Sequence, residues 1–147
     1  MSRAGAWLLD VGGRRVAVGV REQVHLMLEP DAAELAGTPE HCRHVIFWND
    51  RCVPVVDLGR WLDPRAHAEQ RRHLGVYAYQ QEPGAPVEFG ALWLTRPPQR
   101  IEVDDDAAAP LPANARWARV AHGCFADGAG AVPILDLEQI FSGALAA

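Results

Sequence analysis

A chain of 147 residues, 49% of them hydrophobic, is long enough to bury one core and too apolar to remain unfolded. Its apolar runs are too short to span a bilayer, and Asp10 interrupts the N-terminus before a signal core develops, so the expected compartment is the cytoplasm. All fourteen basic residues are arginine and the formal net charge is -5, which argues against nucleic acid as a partner, because neutralising phosphates takes a basic face.

The first predicted element is a hairpin. Residues 6–11 and 14–20 are apolar-rich runs around Gly12-Gly13, and glycine accepts the positive φ of a primed turn. Val24, Leu26 and Leu28 alternate as a third strand, which Pro30 ends. Residues 31–35 are predicted to form a helical turn before Gly37-Thr38-Pro39. Residues 45–48 and 52–56 flank Asn49-Asp50 as a second hairpin, with Pro54 expected at a sheet edge or bulge, since proline cannot donate to a ladder. Asp57 fits an N-cap that accepts from the backbone of Gly59 or Arg60, and Leu58, Trp61 and Leu62 fall at helical spacing.

Residues 63–73 are polar and aperiodic and read as a connector between halves spanning about 6–62 and 74–145 of a single domain covering 1–147. Strands are expected at 74–79 and 87–94 around a Pro83-Gly84 turn, then a shorter one at Ile101 and Val103. Asp104-Asp105-Asp106 opens a surface loop, residues 117–125 and 132–135 form the last hairpin, and Asp136 caps a terminal helix.

One phrase occurs twice. Residues 53–62 (VPVVDLGRWL) return as residues 132–141 (VPILDLEQIF), with four identical positions and four apolar exchanges. A His-x-x-Phe precedes each copy, at His44 to Phe47 and at His122 to Phe125. The phrase holds no nucleophile and no metal cluster, so it reads as a duplicated β unit. About five short strands per half is the pattern of small barrels, and halves of this size should share a core.

The residues that tempt a chemical reading are few. His41, Cys42 and His44, with Cys52 across the hairpin, have the right types for a zinc- or thiol-dependent enzyme but lack paired ligand spacing. His122 and Cys124, two apart on a predicted strand, should share a face, with no activating set around them. Three cysteines without a close pair leave one over, which speaks against a disulfide framework. Asp57 and Asp136 are explained as caps. Of five tryptophans, Trp7, Trp93 and Trp117 are expected in core strands. Trp48 and Trp61 are either interface anchors or core residues, with Arg51 and Arg60 beside them as sources of directional ion pairs.

Residues 44–58, HVIFWNDRCVPVVDL, resemble the signature of the CheW-like family of bacterial chemosensory adaptors. Residues 15–24, 87–94 and 132–141 resemble further segments of that family in the same order. The resemblance implies an all-β fold of two intertwined five-stranded SH3-like barrels around one apolar core. It further implies a non-enzymatic scaffold, without metal or cofactor, that joins chemoreceptor cytoplasmic tips to the regulatory domain of a histidine kinase and does not itself insert in the membrane. On that basis Val16, Val18, Val20 and Val24 are expected to line a receptor groove. Trp48, Asn49, Asp50, Arg51, Arg60 and Trp61 are expected to meet the kinase. The family's N-x-R-G turn is replaced here by Phe47-Trp48-Asn49-Asp50, with Arg51 following.

Overall fold

Gly12 and Gly13 take φ of 64° and 89°, and this reversal joins β1 (Arg3–Val11) to β2 (Arg14–Gly19). The chain continues through β3 (Gln23–Met27), β4 (Ala33–Glu34), a 3-10 turn at Glu40–Cys42, β5 (His44–Trp48), β6 (Arg51–Val56) and α1 (Leu58–Leu62). It then forms β7 (His73–Tyr79), β8 (Glu88–Leu94), β9 (Gln99–Asp104), a 3-10 turn at Asp105–Ala107, α2 (Trp117–Val120), β10 (Ala121–Asp127), β11 (Gly130–Leu135) and α3 (Leu137–Phe141). The computed structural model describes residues 3–65, 71–128, 130–143 and 145. The middle of the predicted connector therefore lies outside the described residues, and its last position, His73, opens β7.

Two curled sheets form the body of the molecule. One is five-stranded in the order β10-β11-β2-β1-β9, and the other six-stranded in the order β3-β7-β8-β6-β5-β4. Reversed, the first reads β9-β1-β2-β11-β10. It then matches the second strand for strand, apart from the added β4. Both contain one parallel pair at the same place, β11 with β2 and β6 with β8, and the other pairs are antiparallel. The halves are intertwined, because β3 leaves the first sheet to join the second and β9 does the reverse. The repeated phrase supplies equivalent elements: β6 and α1 in one copy, β11 and α3 in the other.

Both phrase aspartates cap their helices. Asp57 accepts from the Arg60 N–H at 3.0 Å and Asp136 from the Gln139 N–H at 3.3 Å. Their own N–H groups donate to the segments just before β5 and β10, at His41 O (2.7 Å) and Val120 O (2.8 Å). Each helical turn is thus capped by its own aspartate and fastened to the preceding segment by that residue's N–H.

Several of the central strands bury both faces. On β2, Val16 and Val18 are wholly covered in the cluster between the sheets, with Leu9, Val11, Tyr77, Leu92, Leu94, Leu135 and Ile140. Ala17 turns the other way, into a smaller cluster inside the first barrel with Ala6, Phe125 and Val132. The second barrel has its own interior of Ile46, Val53, Val55, Leu74, Val76 and Ala91, on which Trp48, Phe89 and Trp93 pack.

Two predicted elements are corrected. Residues 31–35 contain no helical turn; Ala33 and Glu34 pair with Val45 and His44 as β4. Pairing here satisfies part of the open edge of β5, which a helical turn at this place would leave bare. Trp117 is not in a strand either. The Asn114 side chain accepts from Arg116 N (3.0 Å) and its carbonyl from Trp117 N (3.1 Å), a turn that starts α2 and buries Trp117 before β10 begins. Pro54 lies on an interior strand rather than an edge, directly before β6 meets β8 at Val55.

The β2–β3 turn is held by Glu22, whose carboxylate accepts from Gly19 N at 2.6 Å. Burial pushes the Glu22 carboxyl pKa up, against the Gly19 bond and the nearby His122, which lower it, while Asp136 adds to the rise. A raised folded pKa means that the folded state holds the proton more tightly. The stability so gained is complete below about pH 4.5 and is lost as pH rises through the folded value. Glu22→Gln keeps an acceptor and removes the charge. Its melting temperature should fall less than the wild type's between pH 4 and 7, and parallel curves would show that Glu22 is not the source.

Candidate partner-binding surface

Asn49 and Asp50 both adopt positive φ, 53° and 59°, the pair of left-handed residues that a two-residue type I′ turn requires. Asparagine and aspartate tolerate this region best after glycine. The turn fixes the register of the β5–β6 hairpin: Trp48 faces Arg51, Phe47 faces Cys52 and Val45 faces Pro54. Register then decides which way each side chain points.

Inside, the Trp48 ring lies 5.1 Å from Phe89, edge to face, and 6.0 Å from the His25 ring. The Arg51 guanidinium covers the Phe89 ring at 5.2 Å. Outside, Phe47 stands 76% exposed, with Cys52 and Pro54 also exposed beside it. An isolated exposed leucine would be ordinary, but an exposed phenylalanine beside proline and cysteine on a rigid hairpin is an apolar contact surface. Next to it, Arg51, Pro54, Tyr79, Glu88 and Phe89 line a hollow of about 310 Å³. One carboxylate oxygen of Glu88 is buried with no hydrogen-bond partner among the described residues. Burial raises the Tyr79 hydroxyl pKa, and the Glu88 carboxylate beside it raises it further.

The predicted site residues separate into three groups. Trp48, Asn49, Asp50 and Arg51 do meet at one end of the second barrel, although Trp48 is half-buried and Phe47 is the exposed ring. Trp61 is buried, with the Arg116 and Arg119 guanidinium groups 5.0 and 5.1 Å from its ring, so it is a core residue rather than a surface anchor. Arg60 lies beside it on α1, away from the hairpin tip. Val16 and Val18 have no exposed surface and cannot line a groove without opening the core. Val20 is partly covered, and Val24 is exposed on the edge strand β3, near exposed Leu28.

Sequence reasoning passed over Phe47. The signal was present in the strand period, because an inward Ile46 and Trp48 force the residue between them outward.

The four residues of the enzyme reading are not brought together. The His41 ring nitrogen meets Leu145 O at 2.8 Å, His44 turns inward to the Trp93 ring at 5.6 Å, and Cys52 points out from the opposite face of the hairpin. Burial and Arg71 lower the His44 pKa, while burial raises the thiol pKa of Cys42 and Cys124, away from the thiolate that chemistry needs. His122 and Cys124 do not share a face: the register shifts between Ala121 and Gly123, leaving His122 exposed and Cys124 buried. Among the described residues, no group of three or more His, Cys, Asp or Glu is placed to hold a metal. Among the same residues, no helix is long and apolar enough to cross a membrane.

Comparison with known proteins bears on this arrangement. The family model of the CheW-like domain matches residues 6–145. The crystal structure of the scaffolding protein TtCheW from Thermoanaerobacter tengcongensis aligns with a TM-score of 0.70 at 13% identity, covering 93% of this chain and 86% of that one. Among curated proteins, none matches the chain by sequence.

Proposed function

The chain belongs to the CheW-like domain family, and from that premise we propose that it is a non-enzymatic adaptor coupling chemoreceptors to a histidine kinase in a bacterial chemosensory pathway, chemotactic or pilus-linked. It works in the cytoplasm as one domain with two interleaved halves, and no cofactor takes part. The kinase regulatory domain docks at the β5–β6 end of the second barrel. The observation that carries this reading is the exposed Phe47 beside Cys52 and Pro54 on one face of a rigid hairpin, with Arg51 on the other face of the same tip. Aromatic and arginine side chains of this kind dominate protein interfaces. The receptor tip meets the edge of β3, where Val20 and Val24 remain from the predicted groove and Leu28 extends the apolar surface.

Calorimetric titration with the regulatory domain of a chemotaxis kinase from the same genome tests the docking surface. Phe47→Ala should weaken binding at least tenfold, as expected when a hot-spot aromatic worth ~2 kcal/mol is truncated. Its unfolding free energy should change by only about 0.5 kcal/mol, because the ring is exposed. Arg51→Glu should weaken binding as well. If both variants bind like the wild type, or if the folded wild type fails to bind at high micromolar kinase domain, the assignment fails.

A further inference from the structure

The repeated phrase differs on its two helices. Arg60 and Trp61 in the first copy stand where the second has Gln139 and Ile140. Trp61 and Ile140 both fill the cluster between the sheets, so the core alone does not call for an indole ring on α1. What the ring adds is a flat face for cations. The guanidinium groups of Arg116, just before α2, and Arg119, within it, lie over that ring at 5.0 and 5.1 Å.

These side chains, with Arg60 and His41, line a hollow of about 500 Å³. Its walls are held in place: Arg116 donates to the Trp61 carbonyl, and the His41 ring nitrogen meets Leu145 O at 2.8 Å. The lining carries three arginines and one carboxylate, Glu40, whose oxygens turn to Arg43 at 2.8 Å and Arg71 at 3.9 Å, both outside it. Among the described residues the lining is therefore positive, in a chain whose net charge is -5. Two like charges over one ring repel each other, and an anion between them removes that cost. Arg60 and Arg119 have other interactions within the chain, and Arg116 gives one bond to a carbonyl. Such bonds do not exhaust a guanidinium, which has five N–H donors.

We propose that this hollow binds a small organic phosphate, with the phosphoryl group held by Arg60, Arg116 and Arg119. Guanidinium forks match phosphate oxygens, and arginines arriving from α1 and α2 suit a tetrahedral group better than a planar carboxylate. A phosphate ion, only a few times the volume of a water molecule, fills a small part of the hollow. Exposed Pro39 and Pro64 in the same lining offer apolar surface to the organic part. No described residue of the β5–β6 tip or of β3 lines the hollow, so it stands apart from the docking surfaces.

The test is calorimetric titration of the full chain with phenyl phosphate, inorganic phosphate and benzoate at constant ionic strength. One saturable site is expected for phenyl phosphate, at least tenfold tighter than for benzoate, which carries the same ring on a planar carboxylate. Inorganic phosphate should bind more weakly than phenyl phosphate. Arg116→Gln and Arg119→Gln should each weaken binding at least tenfold, whereas Arg3→Gln, outside the lining, should leave it unchanged. Where a glutamine variant does not fold, Arg116→Lys or Arg119→Lys keeps the charge without the fork and should weaken binding as well. Absence of saturable binding by wild type at millimolar phenyl phosphate overturns the proposal, as does wild-type affinity in folded variants at both positions. An equal loss in Arg3→Gln also overturns it, since diffuse attraction would then explain the binding. Equal affinity for inorganic phosphate overturns the organic part, and equal affinity for benzoate the phosphoryl preference. Phe47→Ala should bind phenyl phosphate like the wild type, so this site and the adaptor reading fail separately.

Discussion

Asp57→Ala is expected to cost about 3–5 kcal/mol of unfolding free energy, and Asp136→Ala only about 1 kcal/mol. The two aspartates occupy the same place in the repeated phrase and make the same cap, so the cap cancels in the comparison. What remains is Arg71. Its Nε donates to the second Asp57 oxygen at 2.6 Å, with both side chains only 12% exposed. Its guanidinium also donates to Glu40 O at 3.1 Å and lies over the Trp93 ring at 5.8 Å. Removing the carboxylate leaves a nearly buried cation with only the more distant Glu40 carboxylate, at 3.9 Å, as counter-charge, and that penalty exceeds the loss of a cap. Adding Arg71→Met to Asp57→Ala should therefore recover part of the loss. Urea denaturation of the four proteins decides the matter. Equal costs for the two single variants would mean that the ion pair contributes nothing.

The comparison also shows how unevenly the fold could be read. The duplicated phrase, its two caps and the Asn49-Asp50 turn were legible because each follows from local chemistry: a carboxylate three residues ahead of a free N–H, or two residues that accept positive φ. The facing of β2 was not. Val16, Ala17 and Val18 are all buried, so alternation leaves no polar side to mark direction. Only the neighbouring strands assign the valines to the shared core and Ala17 to the first barrel. Val16 and Val18, expected in a receptor groove, therefore lie in the shared core, and only Val20 beyond them reaches the surface.

The difference in filling between the two barrels was hidden for a related reason. Ala6, Gly19 and Gly123 are unremarkable one by one, and their meaning appears only when register matches them with Leu74, Trp93 and His44 of the second barrel. The same logic separates the two barrel ends. An aromatic pair closes one and an ion pair the other, so a partner that recognises the exposed aromatic end meets a different chemistry on the twin.

Trp61→Ala should lower stability by about 3–5 kcal/mol, the usual cost of emptying a buried aromatic site. For a chain of this length that corresponds to a fall in melting temperature of roughly 6–20 °C. The ring is 4% exposed and belongs to the cluster between the sheets, together with Leu58, Leu62 and Tyr77. The Arg116 and Arg119 side chains close over it, and Arg116 also donates to the Trp61 carbonyl, which ties α2 to α1. Ile140, the matching residue of the second phrase, fills the same cluster from α3, so Ile140→Val should cost only about 1 kcal/mol. The functional consequence distinguishes the two aromatics. Loss of Trp61 reduces the folded fraction, so kinase binding falls in amount while affinity per folded molecule stays unchanged. Loss of Phe47 does the opposite, lowering affinity in a protein that melts normally. A Trp61→Ala chain that keeps its stability and loses affinity would return Trp61 to the interface and overturn its assignment to the core.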